Sequence, residues 1–262
     1  MITIDINPIL VGFGHFALRW YGVIVAGAIG LGAWVASREA RRKGLGSEVF
    51  QDVLLWVILG GLIGARLFHV VDHWPHEYAV NPIRVLYVWE GGLAIWGGVV
   101  GGMFALALFA RRRQMSLGWL ADIAVPGLVL AQAAGRLACV ITGDAMGPPT
   151  SGPFGIAYTN PGAMVPQLGV FYTPMPVYEL VANLGIFAVL WALRRRRWPD
   201  GSLFLVYLVL YSLERFTLAF TSSYLIIGFG LTQSQIISLA ALAVSVPLGI
   251  WTFSRKVHAR SA

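Results

Sequence analysis

The sequence predicts an all-α integral membrane protein of seven transmembrane helices, with the N-terminus outside and the C-terminus in the cytoplasm. Three observations predict it. The 262 residues are 57% hydrophobic and only 12% charged, with a mean hydropathy of +0.71, whereas soluble domains carry about 25% charge. Seven apolar runs are each long enough to cross a hydrocarbon core, which takes about 20 residues as a helix. Clusters of Lys and Arg fall after every second run, as the positive-inside rule requires.

In order, the runs cover 18–37, 50–71, 91–110, 117–141, 176–193, 202–222 and 233–253. Basic clusters follow the first (REARRKG, 38–44), the third (RRRQ, 111–114), the fifth (RRRR, 194–197) and the seventh (RKVHAR, 255–260). The intervening segments are poor in basic residues. Arg84 stands alone in 72–90, and 142–175 and 223–232 have none. The alternation also accounts for the net charge of +7, so no nucleic-acid partner is expected. The chain reads as a single domain, 1–262, with 72–90 and 142–175 as extracytoplasmic loops forming a cap. Its one cysteine, Cys139, excludes an intrachain disulfide and any Cys-based metal motif. The opening MITIDINPILVGFG lacks the basic region of a cleavable signal peptide. His69, His73 and His76 lie close to Asp72 in HVVDHWPHE, but no further ligand is placed to complete a zinc site. The glycines of GGLAIWGGVVGG (91–102) suit a close helix crossing.

Ionisable residues within spans carry the functional signal. Each costs about 2.5–3.5 kcal/mol at a helix centre, so those that persist pair, face water or act. Those singled out are Arg19, Arg66, Asp122, Arg136, Glu179, Glu214 and Arg215, with Asp144 just beyond the fourth run. Arg19, Asp122 and Glu179 lie near span ends, and Asp122 suits a helix N-terminus as a structural charge. Arg136 and Arg215 both fall toward the outer ends of their helices. Two guanidiniums at one depth repel unless an anion lies between them. Asp144, Glu179 and Glu214 are candidates within the chain, which would make an internal salt bridge. A lipid phosphate, gripped by the bidentate guanidinium fork, is the candidate outside it. Tyr21, Tyr178 and Tyr211 lie at the same level. Tyr211 is one turn before Arg215 on one helix face, while Tyr21 and Tyr178 equally fit an interfacial aromatic belt.

RWYG (19–22), GARL (64–67), WEGGLAIWGG (89–98), GRLACVITGDAMG (135–147), PMPVYE (174–179), YSLER (211–215) and LTQSQIISL (231–239) follow one another along the chain. In that order and on these spans they resemble the prolipoprotein diacylglyceryl transferases. The resemblance implies transfer of a diacylglyceryl group from phosphatidylglycerol to the lipobox cysteine of a preprolipoprotein, at the outer face of the bacterial cytoplasmic membrane. A thioether forms and glycerol phosphate leaves. Besides the lipid bilayer, the implied partners are phosphatidylglycerol and lipobox-containing preprolipoproteins, with no cofactor and no metal. Carried onto this chain, the catalytic set is Arg136, Arg215, Tyr21 and Asp144. The substrate-binding set is Arg136, Arg215, Tyr211, Tyr178, Glu179, Trp96, Gly97, Gly98 and Gly147.

The chain departs from the family pattern at several positions. Trp96 stands where His is common, Cys139 and Thr142 where Asn is common, and Asp144 where Glu is usual. Thr173 replaces a common His, and Ala219 replaces an acid four residues after Arg215. The base that takes the thiol proton is therefore not at position 96; Tyr21, Asp144 and the substrate itself stay open for that role. Two other readings remain: a diverged homologue acting on another acceptor, and a transporter or receptor for an anionic ligand. The outward bias of the polar residues and the short inner loops favour a site open to the outer leaflet.

Overall fold

The computed structural model describes residues 1–13, 16–87, 91–222, 226–228 and 230–261, without the side chains of 13, 16 and 255–261. Trp89 and Glu90 of the WEGGLAIWGG element, and the side chains of RKVHAR, lie outside the described residues. The helices are α1 (Trp20–Arg42), α2 (Ser47–Asp72), α3 (Ile95–Arg112), α4 (Leu117–Thr142), α5 (Met175–Leu193), α6 (Ser202–Leu218) and α7 (Gln233–Ser261). Among the described residues, seven helices are long and apolar enough to cross a membrane. α1 extends five residues past its expected end because SREARR is built of helix formers, with Arg41 and Arg42 at the favourable C-terminal end. It stops at Gly44, whose φ of +82° glycine adopts without strain.

The all-α expectation is corrected to a mostly helical fold. Among the described residues there are six short strands: β1 (Ile2–Ile4), β2 (Ile9–Phe13), β3 (Phe16–Arg19), β4 (Ile156–Tyr158), β5 (Ile226–Gly228) and β6 (Leu231–Thr232). β1 pairs in parallel with β4, while β2–β3 and β5–β6 form antiparallel pairs. All lie outside the helices. Backbone N–H and C=O groups there need partners, and strands of two to five residues are too short to show a period-2 pattern. The chain divides into two compact units, Ser37–Ile123 and Met1–Ala36 with Ala124–Ala262.

In the 37–123 unit, α2 and α3 cross backbone against backbone. A Cβ added at Gly64 would meet the Gly101 Cα at 2.8 Å, and one at Gly101 would meet the Gly64 Cα at 2.9 Å. Only glycines permit that approach. Gly64→Ala is expected to lower stability by about 1–3 kcal/mol through overpacking, read as a lower melting temperature in detergent. At one end of this unit, Ala40, Leu45, Phe109, Ala110, Leu120 and Ile123 form a core. Around it Arg42 pairs with Glu39 at 2.7 Å, Lys43 with Asp122 at 3.8 Å and Arg113 with Asp52 at 3.0 Å. The 38–44 and 111–114 clusters thus share one end of the unit, and Asp122 holds a structural ion pair.

Arg66 is buried near the C-terminus of α2. Its guanidinium donates to the carbonyl oxygens of Val85 (2.9 Å), Gly91 (2.8 Å), Gly92 (3.0 Å) and Arg84, and it lies over the Tyr78 ring. Backbone dipoles, rather than an acid, carry most of this charge compensation. His69 stacks on His73 at 4.1 Å between ring centroids. Among the described residues no group of three His, Cys, Asp or Glu side chains is placed to hold a metal ion.

In the other unit, α4 and α1 also meet through glycine, since a Cβ at Gly32 would lie 2.7 Å from the Gly127 carbonyl oxygen. Val125, Val129, Ile186, Leu190, Leu203 and Tyr207 pack α4, α5 and α6 together. The 142–175 segment is fastened at several points. β4 pairs with β1, Tyr172 bridges to both Pro149 and Ile156, and the Met164 N–H donates to the Thr142 carbonyl at 2.8 Å. Tyr158 is buried and its hydroxyl donates to the Val140 carbonyl at 2.6 Å. Burial, with a smaller contribution from Cys139, pushes the Tyr158 phenol up to about 12.

A raised phenol pKa means that the folded state holds its proton while the unfolded chain releases it near the ordinary value of about 10. The contribution is complete below that value and is lost as pH rises toward about 12. Stability should therefore fall across that alkaline window in the wild type. Tyr158→Phe should flatten that fall in a pH series of thermal melts.

Candidate active site

Three helix ends build the site. Arg136 stands in the last turns of α4, Glu179 one turn into α5, and Arg215 in the last turn of α6. α5 begins at PMP, and proline is well tolerated in a first helical turn, where its missing N–H costs nothing. Glu179 Oε1 accepts a hydrogen bond from Arg215 Nη1, and Oε2 is ion-paired with Arg136 Nη2 without hydrogen-bond geometry. Two guanidiniums from separate helices thus converge on one carboxylate. Glu179 is the intervening anion, which realises the salt-bridge alternative. The Glu179 side chain is 3% exposed, while those of Arg136 and Arg215 keep 25% and 18%. A guanidinium presents five N–H donors in a planar fork.

Asp144 follows the α4 C-terminus and does not pair directly with Arg136. Cys139 stands between them, with its Sγ 4.0 Å from Arg136 Nη1 and 3.8 Å from Asp144 Oδ2. These are long sulfur contacts in the place where the family pattern puts an amide. Tyr21, exposed in the first turn of α1, is within electrostatic reach of Cys139, Asp144 and Arg136. Tyr211 is within reach of Arg215 and Arg136 and stacks on Tyr207 at 5.4 Å. Tyr178 is exposed and makes no side-chain hydrogen bond among the described residues.

Gly147 serves the site through packing. Its N–H donates to the Thr173 carbonyl at 2.9 Å, and a Cβ there would meet Met175 Cγ at 2.8 Å. It therefore ties the 142–175 segment to the start of α5. Trp96, Gly97 and Gly98 belong to the 37–123 unit. Trp96 is exposed in the first turn of α3. Gly97 lies in the α2–α3 crossing, where a Cβ would meet the Gly64 carbonyl carbon at 2.9 Å, while the Gly98 Cβ position has 3.6 Å to its nearest neighbour.

Two polar groups escaped the sequence reading. Asn183, one turn beyond Glu179, is buried and donates from Nδ2 to the Glu179 carbonyl oxygen at 2.8 Å. Gln132, one turn before Arg136, accepts from the Tyr207 hydroxyl at 3.0 Å. Their i,i+4 spacing from the charged residues was the available signal.

Fold and site together define a multi-pass membrane protein that concentrates two arginines around a buried acid at the ends of three helices. Comparison with known proteins is specific about the class. The family described as Prolipoprotein diacylglyceryl transferase matches residues 8–251. A phosphatidylglycerol–prolipoprotein diacylglyceryl transferase of Dehalococcoides mccartyi (strain 195) is 32% identical over 252 residues, covering 96% of this chain and 95% of that protein. The protein of that name from Geobacillus kaustophilus is 36% identical over 250 residues, covering 94% and 92%. That from Halalkalibacterium halodurans is 34% identical over 254 residues, covering 95% and 87%. The chain belongs to the prolipoprotein diacylglyceryl transferase family and is a transferase.

Proposed function

We propose that the protein transfers a diacylglyceryl group from phosphatidylglycerol to the thiol of a lipobox cysteine in a preprolipoprotein, the first step of lipoprotein maturation. The convergence of Arg136 and Arg215 on Glu179 supports this reading best. Glu179 holds the two forks together before substrate arrives, and the two guanidiniums then grip the phosphate. The substrate sulfur attacks the diacylglycerol carbon that bears the phosphate. The carbon–oxygen bond breaks, and its electron pair leaves on the phosphate of glycerol phosphate. Fixed cations in a water-poor site stabilise that growing charge without reorganising.

The thiol is a weak nucleophile until it loses its proton. Trp96 has no proton-accepting atom, so the acceptor is drawn from Tyr21, Asp144 or the departing phosphate. Tyr211 borders the two guanidiniums and orients the headgroup beside them. Gly147 acts by positioning the segment that precedes α5.

The same reading places the protein in the bacterial inner membrane, N-terminus outside and C-terminus cytoplasmic, with the arginine site and the 142–175 segment on the outer side. The alternating basic clusters support this orientation. Labelling of single cysteines introduced into 142–175 in intact cells tests it; labelling only after the membrane is permeabilised would reverse the topology.

Activity is tested with the purified protein, labelled phosphatidylglycerol and a lipobox peptide. The expected product is the peptide thioether. Failure with every lipobox peptide, from protein that still binds the lipid, would move the assignment to another acceptor.

A further inference from the structure

Within the 37–123 unit, α2 ends and α3 begins at different levels. α2 closes at Asp72, yet the Ala94 N–H, just ahead of α3, donates to the Ala65 carbonyl at 3.1 Å. Ala65 lies about two turns short of the α2 end, or about 10 Å at a rise of about 1.5 Å per residue. α3 is also short. Its stretch 95–110, ahead of the basic cluster, runs about 24 Å, whereas a hydrocarbon core is about 30 Å thick. With its basic end among headgroups, α3 therefore begins inside the hydrocarbon. The chain that leaves α2 at Asp72 must come back down to reach it.

That return path contains two short helical turns, Trp74–Tyr78 and Pro82–Leu86. Tyr78 is 1% exposed and lies beneath the Arg66 guanidinium, while Val80 is 84%, Ile83 57% and Leu86 68% exposed. Val71 in the last turn of α2 and Ile95 in the first turn of α3 are exposed as well, so the segment continues the apolar flanks of both helices. A contiguous apolar surface of this kind marks a contact with membrane or protein. Trp74 suits the lipid–water interface. His73, His76 and Asn81 are also exposed, and they limit the depth of their part of the segment to the headgroup layer. Glu77 and Arg84 neutralise each other at 3.6 Å.

Non-helical backbone is costly in lipid, because no water is there to bond its N–H and C=O groups. Arg66 offsets that cost. Besides the four carbonyl oxygens named above, its guanidinium reaches that of Tyr87 at 3.3 Å, so five acceptors between Arg84 and Gly92 share one buried cation. In water those carbonyls would need no such partner.

We propose that residues 74–87 are a re-entrant segment, with Val80, Ile83 and Leu86 seated among the lipids of the leaflet at this end of α2. Arg66 supplies the hydrogen bonds that let irregular backbone lie there. The partner is the bilayer itself, held by apolar contact at a place where the sequence suggests a cap in water. The inference is independent of the transfer reaction.

The test is spin-label accessibility in the full chain, reconstituted into phosphatidylcholine vesicles in a Cys139→Ser background. Labels are attached to Ile83→Cys and Leu86→Cys, with Val100→Cys on the exposed face of α3 as the lipid reference and Glu48→Cys as the aqueous one. The labels at 83 and 86 should collide more with oxygen, which concentrates in lipid, than with a water-soluble nickel complex, as the label at 100 does. A preference like that at 48 overturns the proposal. Exclusion of both reagents also overturns it, because protein rather than lipid would then cover the segment. Adding Arg66→Ala should shift both labels toward the nickel complex. An unchanged lipid preference in that variant overturns the part assigned to Arg66. If the variant does not fold, the labels in the protein that retains Arg66 still decide whether the segment is immersed.

Discussion

Arg136→Ala and Arg215→Ala are each expected to slow diacylglyceryl transfer by about 10²–10³-fold, the usual loss when one preorganised donor to a developing anion is removed. Each variant deletes a charge-bearing fork from one side of Glu179 and leaves the other arginine in place. If the guanidiniums act in the transition state, kcat falls together with kcat/KM. A rise in KM alone would mean that they only hold the ground-state headgroup. Arg136→Lys and Arg215→Lys should recover little, because an ammonium presents a point charge rather than a planar fork. Steady-state kinetics with labelled phosphatidylglycerol in mixed micelles provides the measurement. Wild-type rates in both alanine variants would remove the clamp from the mechanism while leaving the family assignment untouched.

Glu179→Gln should produce the largest loss of stability, on the order of 3–5 kcal/mol, as expected when one partner of a buried ion pair is removed. Here the loss is aggravated, because the same carboxylate separates two guanidiniums. An amide keeps the shape and one acceptor oxygen but none of the charge. Thermal unfolding in detergent, followed by circular dichroism, reads the effect. A second comparison separates structure from function. If a phosphodiester enters between the arginines, added phosphatidylglycerol should raise the melting temperature of Glu179→Gln more than that of wild type, because the lipid anion then substitutes for the missing carboxylate. Equal shifts in both proteins would place the lipid elsewhere.

Wild-type melting in Glu179→Gln would also show that the paired arginines contribute little to holding α4, α5 and α6 together. The apolar packing of Val125, Val129, Ile186, Leu190, Leu203 and Tyr207 would then suffice.

Much of this protein is legible in its sequence. Seven apolar runs give seven helices because bilayer thickness sets a minimum length and hydrocarbon leaves the backbone no partner but itself. The glycines of 91–102 announce a close crossing, and in the structure Gly97 and Gly101 lie against Gly60 and Gly64. Arg136 and Arg215 were found because charges inside apolar runs are rare enough to demand a reason.

Other features had no one-dimensional signature. The strands are too short for periodicity and depend on distant partners, as Ile2 does on Ile156. Arg66 looked like the other intramembrane arginines, yet carbonyl groups of a following loop surround it.

By itself, then, the sequence determined where the seven long apolar helices form, where along its helix each charge lies and which family the ordered motifs resemble. Depth along a helix follows from counting residues at a fixed rise. Tertiary structure alone decided that Glu179, rather than Asp144 or Glu214, lies between the two guanidiniums. That choice depends on how each helix is rotated about its own axis, and rotation is set by side-chain packing against neighbouring helices.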